Sequence, residues 1–218
     1  AMDTYMSLVA IGDGASDVLQ ECSNEINALE QRLSRTIETS GVAQLNANGS
    51  AQLDEDTAAL LQAALQYSAE TGGTFDVTIA PLVELWGITT DSPRIPSQEE
   101  IDALLPLVGS QHIRLDGAAA ALDEGCAIDL GGIGKGYASD KTAALFAESG
   151  LSGGFVSLGG NVYVHGVTAD GRPWNVAIQD PNNTEGYACA LRLSDAFVVT
   201  SGGYQRFFTG PDGTVYQH

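Results

Sequence analysis

The sequence predicts an α+β protein in which mixed and antiparallel sheets pack with helices. Two observations carry this prediction. Apolar residues recur at helical spacing in the first third of the 218 residues, and short strand-like segments separated by glycine turns dominate the last third. Helices early and an antiparallel run late are typical of the α+β class. The strand–helix–strand order of the two halves is also compatible with two diverged repeats.

Composition limits the function classes. A hydrophobic content of 44% and a charged content of 17% are globular values, so disorder is not expected. The formal net charge of −19 argues against nucleic acid as a partner, because its phosphates would be repelled. Cys22, Cys126 and Cys189 are too widely spaced for a zinc or redox motif, and unpaired core thiols are expected ahead of one disulfide.

The first elements follow from local patterns. Residues 1–12 alternate loosely and predict a strand, after which Asp13 begins a turn. Apolar residues on one face predict a helix over 18–35, with Ser16 or Asp17 as its cap.

A polar loop is predicted over 36–52. Asp54 or Asp56 then starts a second helix, which stops at the Gly72-Gly73 pair. Further along, Ser97 opens a capping box and a short helix.

Residues 74–87 allow two interpretations. Asp76 and Thr78 lie among apolar neighbours at a spacing that would turn both side chains to one side of a strand. The favoured interpretation is a capped turn before a helix containing Trp86. The alternative is an edge that faces a ligand.

The remaining strands are predicted between glycine-containing turns. They are expected at 111–115, 119–123, 126–130, 154–158, 161–166, 174–179, 187–193, 196–200, 203–208 and 214–218.

The stretch from Ala127 to Asp140 predicts a strand, a glycine turn and a helix over 137–147, because an apolar run passes through four glycines in six residues. Bared backbone N–H groups beside a helix start form an anion site, and Lys135 adds a cation. A phosphate is the simplest ligand, and a tight turn without a ligand is an equal alternative. Gly136 after Lys135 excludes a P-loop, and the spacing excludes a dinucleotide fingerprint.

Four segments, taken in order, carry a family resemblance. They are Phe75-Asp76-x-Thr78-x-x-Pro81-Leu82 with Trp86-Gly87, Ile128 to Ala138 with Asp140, Leu158-Gly159-Gly160-Asn161, and Thr200-Ser201-Gly202-x-Tyr204-x-Arg206. Together they resemble the ApbE-type FAD:protein FMN transferases. The opening Met2-Asp3-Thr4 and the Leu33-Ser34…Leu45-Asn46 stretch resemble the N-terminal motifs of that family.

The resemblance implies an activity and its partners. Such enzymes bind FAD as substrate and Mg²⁺ as cofactor, cleave the pyrophosphate, and join FMN to a Ser or Thr hydroxyl in a motif of a target protein, with release of AMP. Some members hydrolyse FAD instead. The resemblance also implies an exported protein, membrane-anchored or periplasmic.

The resemblance also implies site residues. His218, in Tyr216-Gln217-His218, matches a general base, with an idle histidine as the alternative. The carbonyl of Gly134 matches a metal ligand. The residues matched to FAD binding are Met2, Thr74, Phe75, Asp76, Thr78, Asp129, Gly131, Gly132, Lys135, Tyr137, Ser201 and Arg206. For Arg206 an ion pair with a carboxylate is equally compatible, and His112 and His165 are expected to be structural.

Three departures from the family pattern qualify the resemblance. Asp3 and Gly203 replace a glycine and an aspartate of many members. The second metal motif of the family, an Asp and a Thr four residues apart, follows the histidine motif, and we expect this chain to be truncated before it. The predicted consequence is weak Mg²⁺ binding and little transfer by the chain as it stands. Two further hypotheses are a flavin-binding or carrier module without turnover and an acidic extracellular interaction domain.

Overall fold

The computed structural model describes residues 1–2, 4–87, 90–203 and 207–217. Their contacts divide the chain into two compact units. The first unit comprises residues 1–30 and 135–202, and the second comprises residues 31–134 and 203–218. Each unit is therefore made of two separate stretches of chain.

Among the described residues, most of the helices lie in the first half of the sequence, and a run of strands follows the last helix. The helices are α1 (Ala15–Leu33), α2 (Gly41–Asn48), α3 (Glu55–Glu70), α4 (Ala80–Trp86), α5 (Gln98–Leu104) and α6 (Gly131–Glu148). The strands are β1 (Met6–Ile11), β2 (Ser50–Gln52), β3 (Ile113–Asp116), β4 (Ala119–Leu122), β5 (Gly153–Leu158), β6 (Asn161–Gly166), β7 (Trp174–Asp180), β8 (Asn183–Leu193), β9 (Ala196–Val199), β10 (Phe207–Thr209) and β11 (Val215–Gln217).

The first unit is organised on an antiparallel sheet of order β1-β5-β6-β9. Alternate residues of β5, among them Val156 and Leu158, are fully buried. Gly154 lies on the same face, where its missing side chain leaves room for the ring of Phe146 from α6. The hairpin β7–β8 packs on this unit through Trp174, whose ring meets that of Phe155 edge-on at 5.5 Å.

The second unit combines helices α2 to α5 with a small antiparallel sheet of order β2-β4-β3. Leu45, Leu60 and Leu61 form part of its core. The hairpin β10–β11 adds an aromatic group, in which the rings of Phe208 and Tyr216 stack at 5.2 Å.

The predicted α+β class is confirmed, because every strand pair of the described residues is antiparallel and helices pack in both units. The strand β1, the Asp54 cap of α3 and the capping box of Ser97 are also confirmed. Asp76 caps a 3-10 turn ahead of α4, as the favoured interpretation of residues 74–87 expects. The two-repeat interpretation stays a prediction, and so does the treatment of the chain as a single domain with its C-terminal part missing.

Several boundaries were wrong for physical reasons. Helix α1 starts before Ser16 and Asp17, because glycines 12 and 14 supply the turn that starts it. The polar residues 36–52 contain α2 and β2, since Ser40 caps α2 and a left-handed glycine ends it. Residues 126–130 are irregular, and residues 203 and 214, predicted to begin the last two strands, lie outside strands. Residues 204–206 and 218 of those two predictions lie outside the described residues.

The cysteines are free thiols. Burial raises the pKa of the Cys22 thiol to about 11 and raises that of Cys126 as well. Cys189 is exposed, so the expectation of three core thiols is wrong for this residue. Within the part of the chain that the structure describes, none of the helices is both long and apolar enough to cross a membrane.

Candidate functional site

The candidate site is built around the start of α6, in the second unit. We call residues 129–134 the glycine segment. The carbonyl of Leu130 accepts the first helical N–H bonds, at 3.0 and 2.8 Å, and the Asp129 carboxylate accepts the N–H of Gly131 at 2.7 Å. Asp129 thereby satisfies a donor that a helix start leaves without an intrahelical partner. The prediction of backbone N–H groups without a partner is thus wrong for Gly131. The prediction that the glycines precede the helix is also wrong, because they lie inside it.

Two glycines of this segment are needed for space. A Cβ on Gly131 would lie 2.9 Å from Oδ1 of Asp129, and a Cβ on Gly132 would lie 3.3 Å from Cε2 of Phe75. Both glycines are exposed, so the helix start is open to solvent. A ligand could therefore approach the backbone here without meeting a side chain of these two residues themselves.

Asp76 and Thr78 form a local network. Oδ1 of Asp76 accepts hydrogen bonds from the Thr78 N–H at 2.9 Å and from its hydroxyl at 2.6 Å. Oδ2 of Asp76 accepts a bond from the Ser68 hydroxyl, and Oγ1 of Thr78 accepts the N–H of Gly109 at 2.6 Å. These side chains hold the turn before α4 in shape. Contact of either with a ligand stays a prediction.

The segment of Asp76 and the glycine segment meet in the second unit. The N–H of Asp129 donates to the carbonyl of Val77 at 2.7 Å, and Phe75 lies against Gly132. The structure thus brings together two groups of predicted FAD-contacting residues that are about 50 positions apart in sequence. Thr74 is exposed beside them, with its hydroxyl bonded to the carbonyl of Thr71.

Sequence reasoning missed the role of Asn46. Its amide nitrogen donates to the carbonyl of Ile128 at 2.9 Å, and its amide oxygen accepts the N–H of Ile128 at 2.8 Å. The side chain thus pairs with the backbone as a neighbouring strand would, and fixes the chain just before the glycine segment. The only signal in the sequence was the Leu45-Asn46 pair in a family-like motif.

Arg35 was also missed. Its Nε lies 2.9 Å from Oδ2 of Asp129, and its Nη1 lies 2.9 Å from Oε1 of Glu84. The Arg35 and Asp129 side chains are only 16% and 21% exposed, so this pair is more shielded than an ordinary surface ion pair. Nothing in the local sequence links residue 35 to residue 129, and only the fold shows the contact.

Four predicted FAD-contacting residues belong to the first unit. Met2 has a left-handed backbone conformation, with φ of 51°. Lys135 and Tyr137 lie in α6, where the ammonium of Lys141 stands 5.2 Å from the ring centre of Tyr137. Ser201 is exposed after β9. Their predicted roles stay predictions.

The remaining site residues, Arg206 and the proposed base His218, lie outside the described residues. Of the other histidines, His112 ends a 3-10 turn rather than lying in a strand, and it bonds to Asp123. Hydrogen bonds from Arg114, and then from His112, hold the pKa of Asp123 below its usual range. His165 lies in β6, as predicted.

The described residues do not fit a magnesium site by themselves. Among them there is no group of three His, Cys, Asp or Glu side chains that could hold a metal ion. Gly134 lies buried within α6, where a carbonyl is normally taken by the N–H four residues on. The Asp129 oxygens already bond to Gly131 and Arg35. Metal ligation by Gly134 therefore stays a prediction.

Residues 2–218 match the sequence model of the ApbE family, and the chain belongs to this family. The fold agrees with this membership. The ApbE protein of Thermotoga maritima, 31% identical, superposes with a TM-score of 0.93 over 100% of this chain and 73% of its own. The apo flavinyl transferase ApbE of Pseudomonas stutzeri, 27% identical, has a TM-score of 0.86 over 100% of this chain and 70% of its own.

Curated relatives carry a functional name. The FAD:protein FMN transferase of Escherichia coli K12 is 31% identical over 205 residues, which are 89% of this chain and 58% of the relative. The protein of the same name from Treponema pallidum is 32% identical over 220 residues, 92% of this chain and 60% of the relative. The chain thus spans about three fifths of the length of these relatives.

Proposed function

We propose that this chain is a FAD:protein FMN transferase, which moves FMN from FAD to a Ser or Thr hydroxyl of a target protein and releases AMP. Membership of the ApbE family, together with relatives that bear this name, supports the activity. The observation that carries the proposal is the contact between residues 75–78 and the glycine segment, because the two segments matched to FAD binding meet there.

The reaction is a displacement at phosphorus. The acceptor oxygen forms a bond to the phosphorus of the FMN half while the P–O bond to AMP breaks, and the hydroxyl proton passes to a base. We propose His218 as this base, since it matches the family motif. Lys135, the residue that follows the glycine segment in sequence, is proposed to balance the charge of the diphosphate.

Within the second unit, each described residue has a distinct proposed part. Gly131 and Gly132 leave an exposed helix start at which a diphosphate can approach the backbone. Phe75 offers an aromatic edge beside them. Asp76 and Thr78 hold that edge in place.

Magnesium is proposed as the cofactor by family resemblance. Mg²⁺ commonly takes one or two protein carboxylates and completes its shell with water and substrate phosphates. When bound, it would supply positive charge against the diphosphate. Export and work outside the cytoplasmic membrane are also proposed, on the resemblance alone.

The test uses the protein with its natural termini, FAD, Mg²⁺ and an acceptor protein that carries a Ser/Thr flavinylation motif. We expect AMP release and a covalently flavinylated acceptor, both lost in His218→Ala. AMP and free FMN without acceptor labelling would instead identify a FAD pyrophosphatase. FAD binding without AMP release would reject the proposal in favour of a carrier module.

A further inference from the structure

We propose that Arg35 is a positioning residue for nucleotide binding, and that it acts through Asp129 rather than by touching the ligand. The inference rests on the proposed function, since it concerns the same glycine segment. Its starting point is geometric. Arg35 joins α4, through Glu84, to the residue that caps the start of α6.

The two carboxylate oxygens of Asp129 make different contacts. Oδ1 accepts the N–H of Gly131 at 2.7 Å, and Oδ2 lies 2.9 Å from Nε of Arg35. A carboxylate held at both oxygens cannot rotate without losing either the hydrogen bond or the ion pair. The guanidinium therefore fixes the orientation in which Asp129 caps the helix, and so fixes the backbone of the glycine segment.

Arg35 also removes an electrostatic conflict. A carboxylate beside a diphosphate site repels its ligand, and the repulsion is stronger where solvent is partly excluded. Asp129 is only 21% exposed, and the cation of Arg35 offsets its charge at contact distance. With the pair intact, Asp129 can cap the helix at little cost to anion binding.

The loop that carries Arg35 is itself ordered. The hydroxyl oxygen of Ser34 accepts the N–H groups of Thr36 and Ile37 at 3.2 and 3.3 Å. The hydroxyl of Ser40 bonds to the carbonyl of Ser34 and accepts the N–H of Ala43 at 2.9 Å. The arginine therefore extends from a fixed backbone, as a positioning role requires.

The chain offers a matched control in the same stretch. Arg32, three residues earlier in the last turn of α1, pairs with Asp56 at 2.6 Å, with side-chain exposures of 32% and 15%. Asp56 lies in the first turn of α3, away in sequence from the glycine segment. Arg32→Met removes a comparable ion pair without touching Asp129.

The experiment measures FAD affinity by quenching of flavin fluorescence, with Mg²⁺ present, in the protein with its natural termini. Arg35→Met should weaken FAD binding about tenfold, because it leaves the shielded carboxylate of Asp129 without its ion-pair partner. Arg35→Lys keeps the positive charge but lacks the several N–H donors of the guanidinium. Its FAD affinity should lie between those of the wild type and Arg35→Met. Arg32→Met should bind as the wild type does. In an Asp129→Asn background, Arg35→Met should have little further effect, since the residue acts through that carboxylate.

A second readout separates positioning from general stability. Hydrogen exchange at the Gly131 amide should speed up in Arg35→Met and stay unchanged in Arg32→Met, even when both lose similar free energy of unfolding. In turnover assays Arg35→Met should raise KM for FAD and leave kcat nearly unchanged. Equal FAD affinity in Arg35→Met and wild type, or fully additive effects of the Arg35 and Asp129 substitutions, would overturn the proposal.

Failure of the transferase proposal would look different. A wild-type protein that binds FAD but neither releases AMP nor labels an acceptor would reject the transferase, while the binding data of the variants would still decide the role of Arg35. A wild-type protein that binds no FAD would overturn both.

Discussion

Different interactions stabilise the sheet of the first unit and the glycine segment of the second unit. The sheet depends on main-chain pairing and on buried apolar side chains such as Val156 and Phe146. The glycine segment depends on polar side chains that bond to backbone groups, through Asn46 and Asp129. An apolar layer tolerates change poorly at every packed position, whereas a polar clamp concentrates its stabilisation in a few bonds.

The largest expected effect lies in the sheet. A Cβ on Gly154 would stand 2.3 Å from Cε1 of Phe146 and 2.5 Å from the carbonyl oxygen of Val9, so Gly154→Ala forces backbone atoms apart. We expect a loss of about 3 kcal/mol or more in the free energy of unfolding, or failure to fold. Denaturant unfolding monitored by circular dichroism measures it.

The control is Gly136→Ala in α6. A Cβ there meets no described atom within 4 Å, and alanine favours a helix, so stability should rise by about 0.5–1 kcal/mol. If Gly154→Ala were as harmless as Gly136→Ala, the tight packing of this sheet would be refuted.

The same contrast explains what could be predicted from the sequence. Strands β5 and β6 were placed within one residue, because each is bounded by glycine turns. The start of α6 was placed six residues late, since four glycines in six residues are typical of a turn. Here Asp129 caps the helix and Phe75 lies against one of the glycines, and neither contact is visible in a local pattern.

Some residues of the candidate site could be singled out from the sequence, and others could not, for a similar reason. Phe75, Asp76 and Asp129 stood out through motifs, and the structure shows that their two segments meet. Asn46 and Arg35 act over sequence separations of 82 and 94 residues, on partners that only the fold brings near. Hydrophobic periodicity carries no information on such bonds.

A smaller effect is expected at the polar clamp, by which we mean the two hydrogen bonds between the Asn46 side chain and the backbone of Ile128. Asn46→Ala removes both bonds to Ile128, a fully buried residue, and leaves its N–H and carbonyl without their partner. We expect a loss of about 2 kcal/mol in the free energy of unfolding, together with weaker FAD binding, because the glycine segment follows directly. Denaturant unfolding and fluorescence quenching measure the two effects.

Asn48→Ala provides the comparison for this prediction. Asn48 lies in the same helix, but its amide bonds to the exposed side chain of Gln44. Its substitution should change stability by less than about 0.5 kcal/mol. Equal effects of the two substitutions would show that the clamp contributes no more than an ordinary surface contact.

The smallest effect is expected at the start of α5, where the ion pair between Arg94 and Glu100 is exposed to solvent. The hydrogen bonds from Arg94, followed by the backbone N–H of Ser97, lower the pKa of Glu100 from 4.5 to about 2. A lowered folded-state pKa contributes stability that is complete above pH 4.5 and is lost as the pH falls towards about 2. Because the pair is solvent-exposed, this contribution should be slight. The carboxyl chemical shift of Glu100, followed by NMR against pH, should titrate near 2 in the wild type and clearly higher in Arg94→Met. A wild-type midpoint near 4.5 would show that the ion pair between Arg94 and Glu100 does not persist in solution.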